Sequence, residues 1–265
     1  MTAPVLAFDM ETIPDAESMR ARRGFSESVS DAEVVEMDAR LRRQEKGGDF
    51  PPPHLHKIAV ISCVLRNFDA QEGVSLPLKI FSLSPPEYEE AEAVRMFFRV
   101  MEKYTPRLAS WNGGGFDLPV LHWRAMKYGI AAPRYWQMHG ADDDGDKFRW
   151  NNYTSRYHER HSDVMDALAM YQPRGFVGLD AAARLCGLPG KTGIGGANVW
   201  DAWRAGDTES ICKYCEADAL LTYLLFARFL HFRGALPDLA AEEKLVRESL
   251  DETQWAEFLA QWRGD

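Results

Sequence analysis

Two acidic residues near the N-terminus, Asp9 and Glu11, alternate with apolar residues in the segment Val5–Thr12. In a β-strand, residues two apart project from the same face, so the sequence predicts both carboxylates on one face, about 6 to 7 Å apart. Two acids on one face of a buried strand need a cationic partner, either a metal ion or a basic side chain. Such a pair could form the carboxylate platform of a two-metal phosphodiester centre, or it could belong to an edge strand with two solvated acids.

A third acid, Asp117, follows the segment Asn112–Phe116, which contains three consecutive glycines. Glycines let the backbone turn sharply and approach a ligand closely, and Pro119 is typical of the first turn of a helix. The sequence therefore predicts that Asp117 opens a helix. Its carboxylate is either part of a ligand site or only the N-terminal cap of that helix.

A fourth acid, Asp218, lies on the apolar stripe of a helix that is predicted to begin near Thr208. Tyr214, Ala217 and Leu221 share this stripe, because residues three, four and seven apart lie on one helix face. An acid in an apolar face needs a buried partner, and Tyr214 projects its hydroxyl beside Asp218 from one turn earlier.

Two later segments carry positive charge. The segment Lys147–Arg160, which includes Arg149 and Arg156, interleaves basic and aromatic residues. Such a mixture can stack bases and pair phosphates, although aromatic strands packed on a core with arginine at the rim have the same composition. The segment Gly187–Gly196 contains Gly-Lys-Thr but lacks the first glycine of a nucleotide-binding loop, which excludes an NTPase and leaves Lys191 as a possible phosphate contact.

The elements that must position these residues follow from the hydrophobic pattern. Apolar runs predict three further strands that extend the sheet begun by the first, at residues 57–65, 77–83 and 107–111. A proline start and an acid-rich first turn predict a helix that ends at about Tyr104. The segment His161–Asp166 is predicted to begin another helix, with Asp163 as a reserve metal ligand, and Leu236–Trp262 is predicted to form a terminal helix.

A highly charged excursion separates the first predicted strand from the second. Between Pro14 and Pro53 the apolar residues are scattered, which predicts helices on the surface. The segment Gly47–Pro53 ends the excursion, because paired glycines and consecutive prolines cannot continue a helix. At 265 residues the chain is predicted to form one domain, 1–265, that carries this excursion as an insertion at about 14–53.

Composition narrows the class of protein. No apolar run is long enough to span a bilayer and no signal peptide is visible after Met1, so we expect a cytoplasmic protein that does not bind membranes. Four cysteines are too few for a disulfide framework, and Cys212 and Cys215 are expected to be ordinary helix residues. The net charge of −9 argues against binding nucleic acid through the overall field, although a carboxylate metal site contributes negative charge that bound ions would offset.

Three segments, Phe8–Thr12, Asn112–Asp117 and Tyr214–Asp218, occur in the order and spacing of the three motifs of the DEDD exonucleases, in the variant with tyrosine in the last motif. More closely, the sequence resembles the predicted 3′–5′ exonucleases related to the proofreading domain of family B DNA polymerases, over most of its length. The excursion has no recognisable counterpart. The resemblance implies an α/β, ribonuclease H-like fold with a central mixed β-sheet flanked by α-helices.

The resemblance also implies roles for individual residues. Asp9, Glu11, Asp117 and Asp218 would hold two divalent ions, for which oxygen ligands favour Mg²⁺ or Mn²⁺. Tyr214 would orient the attacking water. Six residues in the motifs and the positively charged segments are expected to contact nucleic acid: Thr12, Asn112, Phe116, Arg149, Arg156 and Lys191.

The function that the residues and the resemblance jointly predict is metal-dependent 3′–5′ exonuclease activity on nucleic acid, with single-stranded DNA 3′ ends as the expected substrate. One alternative is a catalytically silent nucleic-acid-binding adaptor with the same fold, against which the intact acidic residues argue. Another is a metal-dependent phosphatase that acts on small phosphate esters, because the same carboxylates could serve it.

Overall fold

The structure is a computed structural model that describes residues 3–68, 77–138 and 147–262. These ranges contain five strands: β1 (Val5–Pro14), β2 (His56–Arg66), β3 (Leu78–Leu83), β4 (Arg107–Ser110) and β5 (His161–Asp163). They form one sheet in the order β3-β2-β1-β4-β5. β1 pairs antiparallel with β2 and β2 with β3, whereas β1 pairs parallel with β4 and β4 with β5. The strands predicted at residues 57–65, 77–83 and 107–111 are thus confirmed as β2, β3 and β4.

Helices flank the sheet, as expected for an α/β, ribonuclease H-like fold. They are α1 (Ala16–Arg23), α2 (Asp31–Lys46), α3 (Glu90–Tyr104), α4 (Asp117–Lys127), α5 (Lys147–Trp150), α6 (Val164–Leu168), α7 (Leu179–Leu185), α8 (Val199–Arg204), α9 (Thr208–Phe232), α10 (Leu239–Ser249) and α11 (Ala256–Gln261). The predicted helix starts at Asp117 and Thr208 and the predicted end at Tyr104 are confirmed. Within the described ranges, no helix combines the length and apolar character that a membrane span requires.

Alternation along β1 divides the core into two layers. Leu6 and Phe8 pack with residues of α3 and α4 on one side of the sheet. Val5 and Ala7 pack with residues of α9 on the other side. Because successive strand residues point to opposite faces, the two acids that follow in β1 continue the face that is covered by α9. The fold therefore turns the acids of β1 toward the helix that carries Asp218.

Two predictions about helix boundaries are wrong. His161–Asp163 is not the start of a helix but a strand paired parallel with β4, and α6 begins only at Val164. The capping pattern was correct, since the Asp163 carboxylate accepts from the backbone N–H of Asp166 at 3.2 Å. The C-terminal segment forms two helices rather than one, because the backbone at Leu250 is extended and ends α10.

The excursion contains α1 and α2, which enclose a small core of their own. Ala16, Met19, Val34 and Leu55 are buried there, although the segment as a whole is rich in charge. Helix α2 ends at Gly47, whose φ of 74° lies in the left-handed region that glycine tolerates best. The chain then returns to the sheet through a proline-rich loop.

Candidate active site

Three carboxylates converge where β1 meets α9. Oxygens of Asp9, Glu11 and Asp218 all lie within 4.8 Å of one another. The oxygens of Asp9 and Glu11 are thus closer than the roughly 6 to 7 Å that the strand repeat predicts, and Asp218 joins them from α9. The pairing of β1 with β2 shifts register between Glu11 and Thr12, and an irregularity of this kind re-aims the side chains beside it.

Asp117 completes the acidic surface from a third element. It is the first residue of α4, and only 7% of it is exposed to solvent. Its carboxylate lies outside the group of three but lines the same cleft, which has a volume of about 510 Å³. The structure thus brings together all four acids that the sequence singled out.

Lys191 reaches into this cleft from the glycine-rich loop that precedes α8. Its ammonium donates to the hydroxyl of Tyr214 at 3.1 Å and forms an ion pair with Oδ2 of Asp218. The loop lies directly over the helix, since a Cβ added at Gly193 would be 3.5 Å from Cβ of Tyr214. Among the residues that line the cleft, all within the described ranges, Lys191 is the only cation. It therefore compensates part of the negative charge.

One oxygen of this cluster has no protein partner. Asp218 is 1% exposed, and its Oδ1 is buried without a hydrogen bond to any described residue. A buried carboxylate oxygen without a donor is costly, and the cost is relieved by a cation that binds it. Asp218 therefore pairs one oxygen with Lys191 and leaves the charge of the other uncompensated by the described residues.

Burial of the four acids in one cluster raises the pKa of each carboxyl above its usual value. Burial, followed by the neighbouring carboxylates, raises the pKa of Asp9 well above its usual range and that of Glu11 to about 8. Burial also raises the pKa of Asp117 to about 7, and that of Asp218 as well. Burial and the charge of Asp218 raise the pKa of Tyr214 to about 12. Each acid would ionise more readily with a cation beside it.

The glycine-rich loop before Asp117 is held by a residue that the sequence suggested only as a reserve ligand. The carboxylate of Asp163 accepts from the backbone N–H groups of Asn112 at 3.0 Å and Gly114 at 2.9 Å. Gly113 is required at its position, because a Cβ there would lie 2.5 Å from the side chain of Ser110. Asp163 thus fixes the loop that leads into Asp117.

The residues expected to contact nucleic acid fall into two groups. Asn112, Phe116 and Lys191 line the cleft with the acids. Thr12 lies beside it, where its hydroxyl bonds Nδ1 of His56 at 2.9 Å, and the ring of His56 packs edge-on against Phe116 with centroids 5.0 Å apart.

The two arginines lie farther out. Arg156 forms an ion pair with Asp166 and lines a neighbouring cavity of about 460 Å³, which shares Asn112 with the cleft. Arg149 is exposed, with its guanidinium 5.0 Å from the centroid of the Trp150 ring. Neither arginine lines the cleft that holds Asp9, Glu11, Asp117 and Asp218.

The sequence analysis missed one residue that lies behind the cleft and one that lines it. The thiol of Cys215 is buried and donates to Oδ2 of Asp9 at 3.7 Å. Phe50 lines the cleft from the loop that ends the excursion. Helical spacing from Tyr214 and Asp218 could have placed Cys215 near the acids. No sequence signal connects Phe50 with them.

Comparison with known proteins assigns the chain to a family. No curated protein matches the sequence. A family model described as a predicted 3′–5′ exonuclease related to the exonuclease domain of PolB matches residues 48–262. This range includes Asp117 and Asp218, whereas Asp9 and Glu11 of β1 precede it. With its mixed sheet and most of its length matched, the chain belongs to this family of predicted 3′–5′ exonucleases.

Proposed function

We propose that the protein is a metal-dependent exonuclease that removes nucleotides from the 3′ end of nucleic acid, with single-stranded DNA as the preferred substrate. Membership of the family supports the reaction and its direction. The observation that carries the proposal is the convergence of Asp9, Glu11 and Asp218 within 4.8 Å, with Asp117 in the same cleft. The alternatives of an adaptor or a phosphatase become outcomes of the test below.

The residues fit a pair of divalent ions. The donors are carboxylate oxygens, which favour Mg²⁺ or Mn²⁺ over softer metals. Oδ1 of Asp218 is buried without a partner, which is the condition that a bound cation relieves. We assign Asp9, Glu11, Asp117 and Asp218 as the ligands. When bound, two such ions would activate a water molecule and stabilise the leaving 3′ oxygen.

Tyr214 has a separate role in this proposal. It is 4% exposed, and Lys191 donates to its hydroxyl at 3.1 Å, so the phenol is held at a defined place in the cleft. Its pKa, which burial and Asp218 raise to about 12, keeps it protonated at neutral pH. A protonated, fixed hydroxyl can orient the attacking water. Lys191 is placed to meet a phosphate oxygen once its carboxylate partner is engaged elsewhere.

With its 3′ end at the four acids, the strand would run across the loop that contains Asn112 and Phe116 and past the rim that carries Arg156. The cavity beside Arg156 shares Asn112 with the cleft, which supports a continuous path. Arg149 would contact the strand only outside both cavities. The organisation of residues 1–265 as one exonuclease domain and the cytoplasmic location stay predictions.

The test is incubation of purified protein with Mg²⁺ or Mn²⁺ and oligonucleotides labelled at either end. The proposal predicts stepwise shortening from the 3′ end that stops when a chelator is added. Single-stranded DNA, duplex DNA and RNA are compared in parallel to establish the preferred substrate. Intact oligonucleotides together with hydrolysis of a simple phosphate monoester would support the phosphatase, whereas binding without cleavage would support the adaptor.

A further inference from the structure

Phe50 presents an aromatic ring to solvent at the mouth of the acidic cleft. The residue is 70% exposed. Its ring centroid lies 5.5 Å from that of Phe116 and 5.1 Å from that of His56, so the three rings form one cluster. Phe50 and Phe116 line the same cleft as the four acids. An exposed ring beside a polar site is a surface on which a flat ligand can stack.

The excursion holds this ring in place through its second helix. Arg42, which is 4% exposed, forms an ion pair with the fully buried Asp38 of α2. The same guanidinium donates through Nε to the backbone carbonyl of Asp49 at 3.0 Å, directly before Phe50. On the other side of Phe50, the carbonyl of Pro51 bonds Nε2 of His56 at 3.0 Å. Phe50 is therefore fixed between α2 and the start of β2.

We propose that Phe50, together with Phe116, stacks against a nucleobase that adjoins the scissile phosphate, and that the excursion serves to position Phe50. This inference rests on the proposed nuclease function, since the acids that share the cleft would hold the reacting phosphate. A ring offers no hydrogen-bond donors to base edges, so the contact tolerates every base. The excursion thereby gains a role in substrate binding.

The test measures binding of a fluorescent single-stranded oligonucleotide in chelator, where metal-dependent cleavage does not occur. Base–aromatic stacking predicts that Phe50→Ala weakens binding roughly 5-fold to 150-fold. The salt dependence should stay unchanged, because no charge is removed. Phe232→Ala is the matched control, since Phe232 is 79% exposed at the far end of α9. Equal binding by the Phe50→Ala variant and the parent would overturn the proposal.

Abasic oligonucleotides identify the stacked base. Two are compared, one that lacks the base of the 3′-terminal nucleotide and one that lacks the base of the nucleotide before it. The proposal predicts that the difference between parent and Phe50→Ala disappears with one of them. If the difference persists with both, Phe50 contacts something other than a base adjoining the terminal phosphodiester, and the proposal is wrong.

The positioning role is tested at Arg42. Arg42→Met should weaken binding as Phe50→Ala does, and the double variant should bind no more weakly than Phe50→Ala alone. Arg40→Met, on the exposed side of the same helix, is the control. Parent-like binding by Arg42→Met would remove the excursion from the proposal. If the parent cleaves and Phe50→Ala binds as the parent does, this inference is wrong and the nuclease function stands. If Phe50→Ala weakens binding but the parent does not cleave, the nuclease function is wrong, and only the contact between Phe50 and the strand remains.

Discussion

The ammonium of Lys191 lies 3.1 Å from the hydroxyl of Tyr214 and pairs with the carboxylate of Asp218. Burial alone would lower the pKa of Lys191, but the charge and hydrogen bond of Asp218 raise it above its usual value. The lysine therefore stays charged beside two residues that we assign to the chemistry. In the metal-free protein, the charge of Lys191 offsets part of the negative charge of the acidic cluster.

Removing this charge should strengthen metal binding. Lys191→Met deletes the cation that competes with a divalent ion for Asp218, and we expect Mn²⁺ affinity to rise about 5-fold, as for a partly exposed charge interaction of roughly 1 kcal/mol. Titration calorimetry measures the change. Lys213→Met is the control, because Lys213 carries the same charge on α9 but pairs with the exposed Glu209 and does not line the cleft. Unchanged or weaker Mn²⁺ binding by the Lys191 variant would show that the lysine does not compete.

Tyr214 can be separated from the acids by deleting its hydroxyl. Tyr214→Phe keeps the ring and its packing, and a single positioned hydrogen bond lost from the transition state costs roughly 100-fold to 1,000-fold in rate. Turnover should fall by that amount, while metal affinity and melting temperature stay near those of the parent. Cleavage at the parent rate would reduce the hydroxyl to a packing feature.

Metal affinity should increase with pH between about 6 and 8. Burial and neighbouring charges raise the pKa of Glu11 to about 8, and burial raises that of Asp117 to about 7, so in the metal-free protein both carboxyls are protonated near pH 6 and lose their protons as the pH rises through these values. A metal binds only the ionised form, so its binding releases these protons, and the affinity rises by up to about tenfold per pH unit for each proton released. Calorimetry in buffers of different ionisation enthalpy counts the protons. A pH-independent affinity would mean that the acids are already ionised.

Asp163 should contribute to both the free energy of unfolding and the cleavage rate, although it is not one of the proposed metal ligands. Asp163→Ala removes the acceptor for the backbone N–H groups of Asn112 and Gly114 and leaves them without that partner. Hydrogen bonds to a charged group contribute about 1.5 to 3 kcal/mol each, so we expect a clear fall in the free energy of unfolding, together with reduced turnover. Asp201→Ala, at an exposed surface pair, should leave both unchanged.

Much of the site follows from local patterns. Alternation along β1 placed Asp9 and Glu11 together, and the apolar stripe of α9 placed Asp218 inward beside Tyr214, because period-two and helical spacing determine which face a side chain takes. The convergence of the two elements follows from the family resemblance rather than from either pattern. The position of Phe50 was not predicted, because it depends on the buried ion pair of Arg42 with Asp38 in the excursion.

The remaining errors have a similar cause. β5 has only three residues, all of them polar, so it carries no hydrophobic alternation, and its strand conformation depends on pairing with β4. The C-terminal segment kept a helical pattern across the extended backbone at Leu250. Both depend on tertiary contacts, which a single sequence does not reveal.

The most direct test of the account compares the parent with Asp218→Asn on a single-stranded oligonucleotide labelled at its 5′ end. Asparagine keeps the shape of the side chain but removes the charge whose unpartnered oxygen we assign to metal binding. With Mn²⁺, the parent should produce a ladder of products shortened one nucleotide at a time from the 3′ end. The Asp218→Asn variant should remain folded, bind Mn²⁺ more weakly and leave the oligonucleotide intact. A parent that leaves the oligonucleotide intact, or a variant that shortens it at the parent rate, would contradict the account.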